Sequence, residues 1–266
     1  MALVITLVLL ALLAVGLCAL MYAAFRRPAT NAPKKFLATG RRPGAHTVVV
    51  AFGDSITHAT LSADWVGALR DRFDADGYDF VNAGVNGHTS TDLLHRLDEV
   101  VACRPDAVAI MVGTNDVRNG IPQAQFRTNL ETIIGRLQTS GTAQIALLSA
   151  TPLGENPADP ANRTLTDYNI AAEQTADRMG ISYLPVYERI AEHLGRGTTP
   201  PKFAFSFGLA LKVAVQHYVF RRSLDDIARG NGLIMLTDHI HLNDRAGTIV
   251  ADLVANWLSH IPAPAR

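Results

Sequence analysis

The segment AFGDSITHAT, residues 51 to 60, follows the apolar run TVVV and breaks off in Gly53-Asp54-Ser55. Small and polar residues at such a point make either a plain turn or a site where a strand delivers a serine hydroxyl to the mouth of a parallel sheet. A serine hydroxyl is a weak nucleophile at neutral pH and needs a base within hydrogen-bond reach. Near the other end of the chain, LTDHIHLND offers one. Asp238 and His241 stand three apart, a spacing at which a carboxylate on a turn or helix start meets the imidazole, fixes its tautomer and stabilises its cation. His239 is the rival base, but next to Asp238 its ring is expected to point elsewhere.

Acyl transfer also needs donors aimed at a developing oxyanion. NAGVNGHTS offers Gly87, whose missing Cβ allows close approach to its N–H. VGTND offers Asn115, whose neutral amide donates without acting as a base. With the N–H of Ser55, three donors would converge beyond the carboxyl ends of strands. Asp54 is expected to bond nearby backbone and Asp116 to hold the loop of Asn115. His58 and His88 are expected to line the pocket, and Asn82 receives no role.

GDS, the glycine of NAGVNG, the Gly-x-Asn of GTND and the Asp-x-x-His of DHIH, in this order, resemble the SGNH hydrolases, the GDSL family of lipases and acyl esterases. Each block alone is weak, but four in order after the expected elements are specific. The resemblance runs from about His46 to His260. It implies a flavodoxin-like three-layer α/β/α fold around a central parallel sheet of about five strands. It also implies Ser55 as nucleophile, Gly87 and Asn115 as oxyanion donors beside the Ser55 N–H, Asp238 and His241 completing a triad, and neither metal nor cofactor. The sequence departs from the family pattern in Ile56, where the eponymous motif has Leu, and in the lengthened stretch from 195 to 233. The other large serine-hydrolase fold requires Gly-x-Ser-x-Gly, and Thr57 stands where its second glycine would be.

The elements that must position these residues alternate in type. HTVVVAF, YDFVNA, AVAIMVG, AQIALLSATP and ISYLPV are strand-like. Between them, helical periodicity runs through DWVGALRDRFDADG, STDLLHRLDEVVAC with Ser90 as N-cap, QAQFRTNLETIIGRLQTSG and TLTDYNIAAEQTADRMG, with a last helix from about Asp244 to His260. Alternation of this kind with near-continuous apolar strands means a parallel sheet covered on both faces. FAFSFGLALKVAVQHYVF, Phe203 to Phe220, is read as an apolar helical insertion. It either caps the core or dips into a bilayer near the substrate entrance, with Lys212, Arg221 and Arg222 at headgroup level.

Ala2 to Phe25 is uncharged and apolar. At about 1.5 Å per helical residue it reaches roughly 36 Å, enough for a hydrocarbon core of about 30 Å. It is read as a transmembrane anchor, or uncleaved signal, over a cleaved signal peptide, since no basic residue precedes it and no cleavage site follows. Arg26, Arg27, Lys34, Lys35, Arg41 and Arg42 all follow it, so the positive-inside rule expects the C-terminal domain on the cytoplasmic side, with the exported side as the alternative. Residues 26 to 45, rich in proline and basic residues, are expected to form an irregular linker, and residues 46 to 262 the hydrolase domain.

The 266-residue chain has a formal net charge of +0 and a pI near 7.1, which argues against nucleic acid as a partner. Its two distant cysteines, Cys18 and Cys103, give no structural disulfide. The expected activity is serine esterase or acyl hydrolase action on a small-molecule acyl ester, lipid-like or membrane-associated given the anchor. An acyltransferase or a carbohydrate O-deacetylase is the alternative within this fold, and a non-catalytic membrane-tethered binding module is the alternative from another class. Nothing in the sequence specifies an oligomer.

Overall fold

A computed structural model of the chain describes residues 1–194 and 201–260. Five strands, β1 (Thr47–Gly53), β2 (Tyr78–Gly84), β3 (Ala107–Met111), β4 (Gln144–Leu148) and β5 (Ser182–Leu184), form one sheet in the order β2-β1-β3-β4-β5. Every pairing is parallel. β1 is an interior strand covered on both faces, and all seven of its residues are buried. Strand order reverses direction at β1, so the loops after β1 and β3 diverge and open a crevice at the carboxyl edge.

The helices, in chain order, are α1 (Ala2–Phe25), α2 (Pro33–Thr39), α3 (Ser55–His58), α4 (Trp65–Arg72), α5 (Ser90–His95), α6 (Leu97–Ala102), α7 (Thr114–Asn119), α8 (Gln123–Thr139), α9 (Pro160–Met179), α10 (Val186–Ala191), α11 (Phe207–Ala214), α12 (Leu224–Gly230) and α13 (Asp244–His260). Val49, Ala51, Ala109 and Met111 pack against α4, α10 and α13 through Trp65, Leu69, Ile190, Val250 and Val254. The alternate residues Val48, Val50, Phe52, Val108 and Ile110 pack against α8 and α9 through Phe126, Leu130, Ile133 and Tyr168. The period of two along each strand thus sends side chains into two cores and makes the three-layer α/β/α sandwich.

Three local expectations are corrected. The helix expected across 90–103 is two helices, broken at Arg96 (φ −110°, ψ 16°). There the guanidinium turns inward to donate to the Gly53 carbonyl at 2.8 Å and to His88 Nδ1 at 3.0 Å. Its N-cap is Thr89, which forms a capping box with Asp92; Ser90 is held by Asp116 instead. The linker over 26–45 is neither wholly irregular nor loose. Pro33 starts α2, as proline does at a first helical turn, and Phe36 is buried in the core beneath it. Asn31 donates to the Phe80 carbonyl at 3.0 Å, and the Arg42 N–H donates to Asp79 at 2.7 Å.

The stretch Phe203 to Phe220 contains α11 followed by a π-helical turn, Val215–Val219. Few of its residues face inward: Ala210, Val213 and Ala214 share a small apolar cluster with Leu61, Leu224 and Ile227 and with Leu20, Ala24 and Phe25 of α1. Within α1, Leu3–Phe25 is long and apolar enough to cross a membrane by length and composition, with a mean hydropathy of 3.0. Part of the lengthened 195–233 stretch, residues 195–200, and the last two residues of the expected 46–262 domain lie outside the described residues.

Candidate active site

Ser55 is the first residue of α3, immediately beyond β1, where Asp54 caps the helix by accepting from the Ile56 N–H at 2.9 Å. The turn is close-packed. A Cβ on Gly53 would lie 2.5 Å from the Met111 carbonyl oxygen, and one on Gly84 would lie 2.2 Å from the His58 backbone nitrogen. Only glycine at both positions lets β1, β2 and α3 approach this closely.

His241 reaches this serine from the far end of the chain. Its loop is cinched by a bridge between Leu236 and Leu242 and by the Thr237 N–H donating to the His241 carbonyl at 2.7 Å. It is then tied to the residues just after α3. The Thr237 hydroxyl donates to the Leu61 carbonyl at 3.0 Å, the Leu242 N–H to Ser62 Oγ at 3.1 Å, and the Ala63 N–H to the Leu242 carbonyl at 3.0 Å. Glu155 secures the approach by accepting from the N–H groups of Ile234, Met235 and Leu236.

The result is one chain of hydrogen bonds. Asp238 Oδ2 accepts from His241 Nδ1 at 2.8 Å, and His241 Nε2 faces Ser55 Oγ at 3.1 Å. The other oxygen, Oδ1, accepts from the N–H groups of Ile240 at 3.1 Å and His241 at 2.9 Å. A carboxylate that only accepts requires Nδ1 to carry the proton, which leaves Nε2 as the acceptor facing the hydroxyl. Burial by itself would raise the Asp238 pKa. The charge and ring N–H of His241, with the two backbone donors, outweigh it and hold the carboxyl below its ordinary value.

Asn115 lies in the first turn of α7 and bridges two loops. Its amide nitrogen donates to Asp54 Oδ2 and to the His88 carbonyl, both at 3.1 Å, and its Oδ1 accepts from Arg118 at 3.1 Å. The amide therefore lies between the neighbour of Ser55 and the neighbour of Gly87, and donation to a third acceptor requires sharing or releasing one of these bonds. Gly87 is exposed, with φ +78° and open space where a Cβ would be. Its loop is tied to the strand of Ser55 by the Val85 N–H donating to the Gly53 carbonyl at 3.1 Å.

The remaining expected residues sort by contact. Asp116 accepts from the N–H and hydroxyl of Ser90 and so pins α5 to α7. Asn82 holds α3 against β2, donating to the Thr57 carbonyl at 2.7 Å and accepting from the Gly84 N–H at 2.9 Å. His239 is not in the chain of bonds; it adopts φ +74° and stands edge-on to Phe203 with centroids 6.0 Å apart. His58 turns from the serine, its Nε2 donating to the Arg27 carbonyl at 2.9 Å and its Nδ1 accepting from Thr60 at 2.8 Å. Burial lowers its pKa, consistent with a neutral ring. Arg118 and Arg96 were not anticipated. For Arg118 the signal was its position three after Asn115 on a helix; for Arg96, half-buried within an amphipathic segment, there was none. Among the described residues no group of three or more His, Cys, Asp or Glu side chains is arranged to hold a metal ion.

Asp54 carries an energetic cost. Burial pushes its carboxyl from 3.8 up to about 6, against the pull of the Ile56 N–H and of His241. Between these values the folded state binds more protons than the unfolded one, so this group's contribution to stability falls as pH rises through that window. Relative to Asp54→Asn, the wild type should lose up to about 3 kcal/mol of stability between about pH 4 and about pH 6, at ~1.4 kcal/mol per pKa unit. Thermal midpoints across this range would check it, and parallel curves for the two proteins would contradict it.

With this geometry in hand, comparison with known proteins is informative. The model of the GDSL-like Lipase/Acylhydrolase family matches residues 51–208. Esterase TesA of Pseudomonas aeruginosa is 36% identical over 114 residues, 41% of this chain and 56% of that protein. An acetylxylan esterase of Geobacillus stearothermophilus is 30% identical over 124 residues, 42% of this chain and 56% of that protein. The chain thus spans little more than half the length of these two relatives. In three dimensions the Geobacillus stearothermophilus acetylxylan esterase Axe2 matches with TM-score 0.61 at 19% identity, covering 84% of this chain and 99% of that one. LAE5, an alpha/beta hydrolase enzyme from the metagenome of Lake Arreo, Spain, matches with TM-score 0.61 at 18% identity, covering 83% and 98%. At these identities the structures attest the fold. A family model covering more than half of the residues, on a chain that folds in this way, means that the protein belongs to the GDSL-like lipase/acylhydrolase family.

Proposed function

We propose that the protein is a membrane-anchored serine esterase in which Ser55 attacks an acyl carbonyl. The observation that carries this reading is the unbroken chain of hydrogen bonds from Asp238 through His241 to Ser55. His241 Nε2 takes the Oγ proton as the oxygen–carbon bond forms, and Asp238 stabilises the resulting imidazolium. The oxyanion is met by the N–H groups of Ser55 and Gly87 and by the Asn115 amide, which gives up or shares its bond to Asp54 or to His88. His241 then returns the proton to the departing alcohol. Water attacks the acyl-serine with His241 again as base, the acid leaves, and Ser55 regains its proton.

A lipid-like or membrane-associated ester is the substrate class best supported. Helix α1 provides a membrane-spanning length. Phe205 lies against Arg118 at 5.0 Å, the arginine that holds Asn115, and Phe203 lies against His239, so the approach is aromatic. A second reading, removal of short acyl groups from carbohydrate, is favoured by the similarity to acetylxylan esterases. The basic residues after α1 support a cytoplasmic domain.

Ser55→Ala should lower ester hydrolysis by about 10³-fold or more with little change in Tm. A panel of acyl esters of increasing chain length and acetylated xylo-oligosaccharides, with product partition to added alcohols, then separates lipid esterase, deacetylase and acyltransferase. Residual turnover within a few-fold of wild type would overturn the role of Ser55. Protease added outside sealed right-side-out vesicles should leave the domain intact, and digestion would place it on the exported side.

A further inference from the structure

Where α1 ends, the chain does not leave the surface. The Phe25 carbonyl accepts from Asn86 at 3.2 Å, the Arg27 carbonyl accepts from His58, and the Phe25 ring lies 5.8 Å from that of Phe207. A cavity of about 360 Å³ opens at this junction, with Arg26, Arg27, Lys34 and Arg96 in its walls and Glu99 as the acid among them. Arg26, Arg27 and Lys34 form no ion pair with a carboxylate among the described residues, although carboxylates pair with exposed arginines elsewhere on the surface. Arg96 spends its donors on Gly53 and His88. The cavity floor is Asn82, Ala83 and Gly84, at the carboxyl end of β2. Four cations around a concavity that holds one carboxylate leave an excess of positive charge, which makes it a site for an anion. One lying directly past the end of an apolar span sits at the depth of lipid headgroups.

We infer that this cavity binds a phosphate group, carried by the headgroup of an anionic lipid, separate from the Ser55–His241 pair. The lipid source rests on the reading that α1 lies in a bilayer. The walls join the ligand to both sides of the active site. Asn86 is the residue before Gly87, and His58 closes the helix that Ser55 opens. A headgroup held there fixes the height at which the catalytic crevice faces the membrane.

The full chain in a neutral detergent, titrated with short-chain phosphatidylglycerol, should show a saturable rise in Tm. Short-chain phosphatidylcholine should give none. Arg26→Gln with Lys34→Gln should weaken the apparent Kd about tenfold or more, at roughly 1 kcal/mol for each basic residue removed. Arg221→Gln with Arg222→Gln, exposed residues beside the same apolar cap but outside the cavity, should change it less than twofold. All four positions are exposed, and Tm without lipid reports whether each variant is folded. A comparable response to inorganic phosphate would keep the anion site but overturn the lipid as its source. An equal loss in both double variants, or no response to phosphatidylglycerol, would overturn the site. Because the readout is binding and not turnover, this result stands or falls apart from the esterase reading.

Discussion

The contact on which the rest depends is that between Ser55 Oγ and His241 Nε2, made by residues 186 apart in sequence. Neither could hold it alone, because a single side-chain hydrogen bond contributes only about 1 kcal/mol net while each side chain loses rotamer freedom on being fixed. The fold supplies the missing rigidity. The serine is the first residue of a helix wedged between two glycines at strand ends. The histidine loop is bonded to Leu61, Ser62 and Ala63, only a few residues beyond that helix. The distance to be controlled is thereby reduced from the span of the whole domain to that of one short turn.

Electrostatics then determines the direction in which a proton can move. Both oxygens of Asp238 accept hydrogen bonds from the loop, Oδ2 from the His241 ring, which leaves one tautomer for His241 and aims its free nitrogen at the serine. The neighbouring carboxylate, Asp54, serves a different end. It is buried beside Asn115, which links it to the loop of Gly87, and burial raises its pKa. A group that reduces stability where it stands, in a crevice of perturbed groups, is what a working site requires more often than a structural one does.

Much of this was legible in the sequence because strands buried on both faces write themselves as apolar runs, and glycines and small polar residues mark where they end. Ser55, Asp238 and His241 could be matched by chemical need alone: a hydroxyl requires a base and the base an orienter. Other features were hidden for physical reasons. The proline at Pro33 reads as a breaker but starts a helix. Arg96 reads as one exposed position in an amphipathic pattern, whereas it breaks the helix to reach the Gly53 carbonyl. His58 lies three residues from Ser55, yet the one-turn helix turns its ring to the far side, toward Arg27. Periodicity shows which face a residue occupies, but not which of two neighbouring loops will meet it.

The apolar helix at the start of the chain is joined to this machinery through its last turn, since Asn86 and His58 hold the carbonyls of Phe25 and Arg27. Activation of one serine by one histidine is the claim that matters most. Intact-mass analysis after treatment of the full chain with a fluorophosphonate tests it directly. One adduct per chain, located on Ser55 and formed much more slowly in His241→Gln, is the result predicted. A folded wild-type chain that takes no label, or carries it on another serine, would contradict the account.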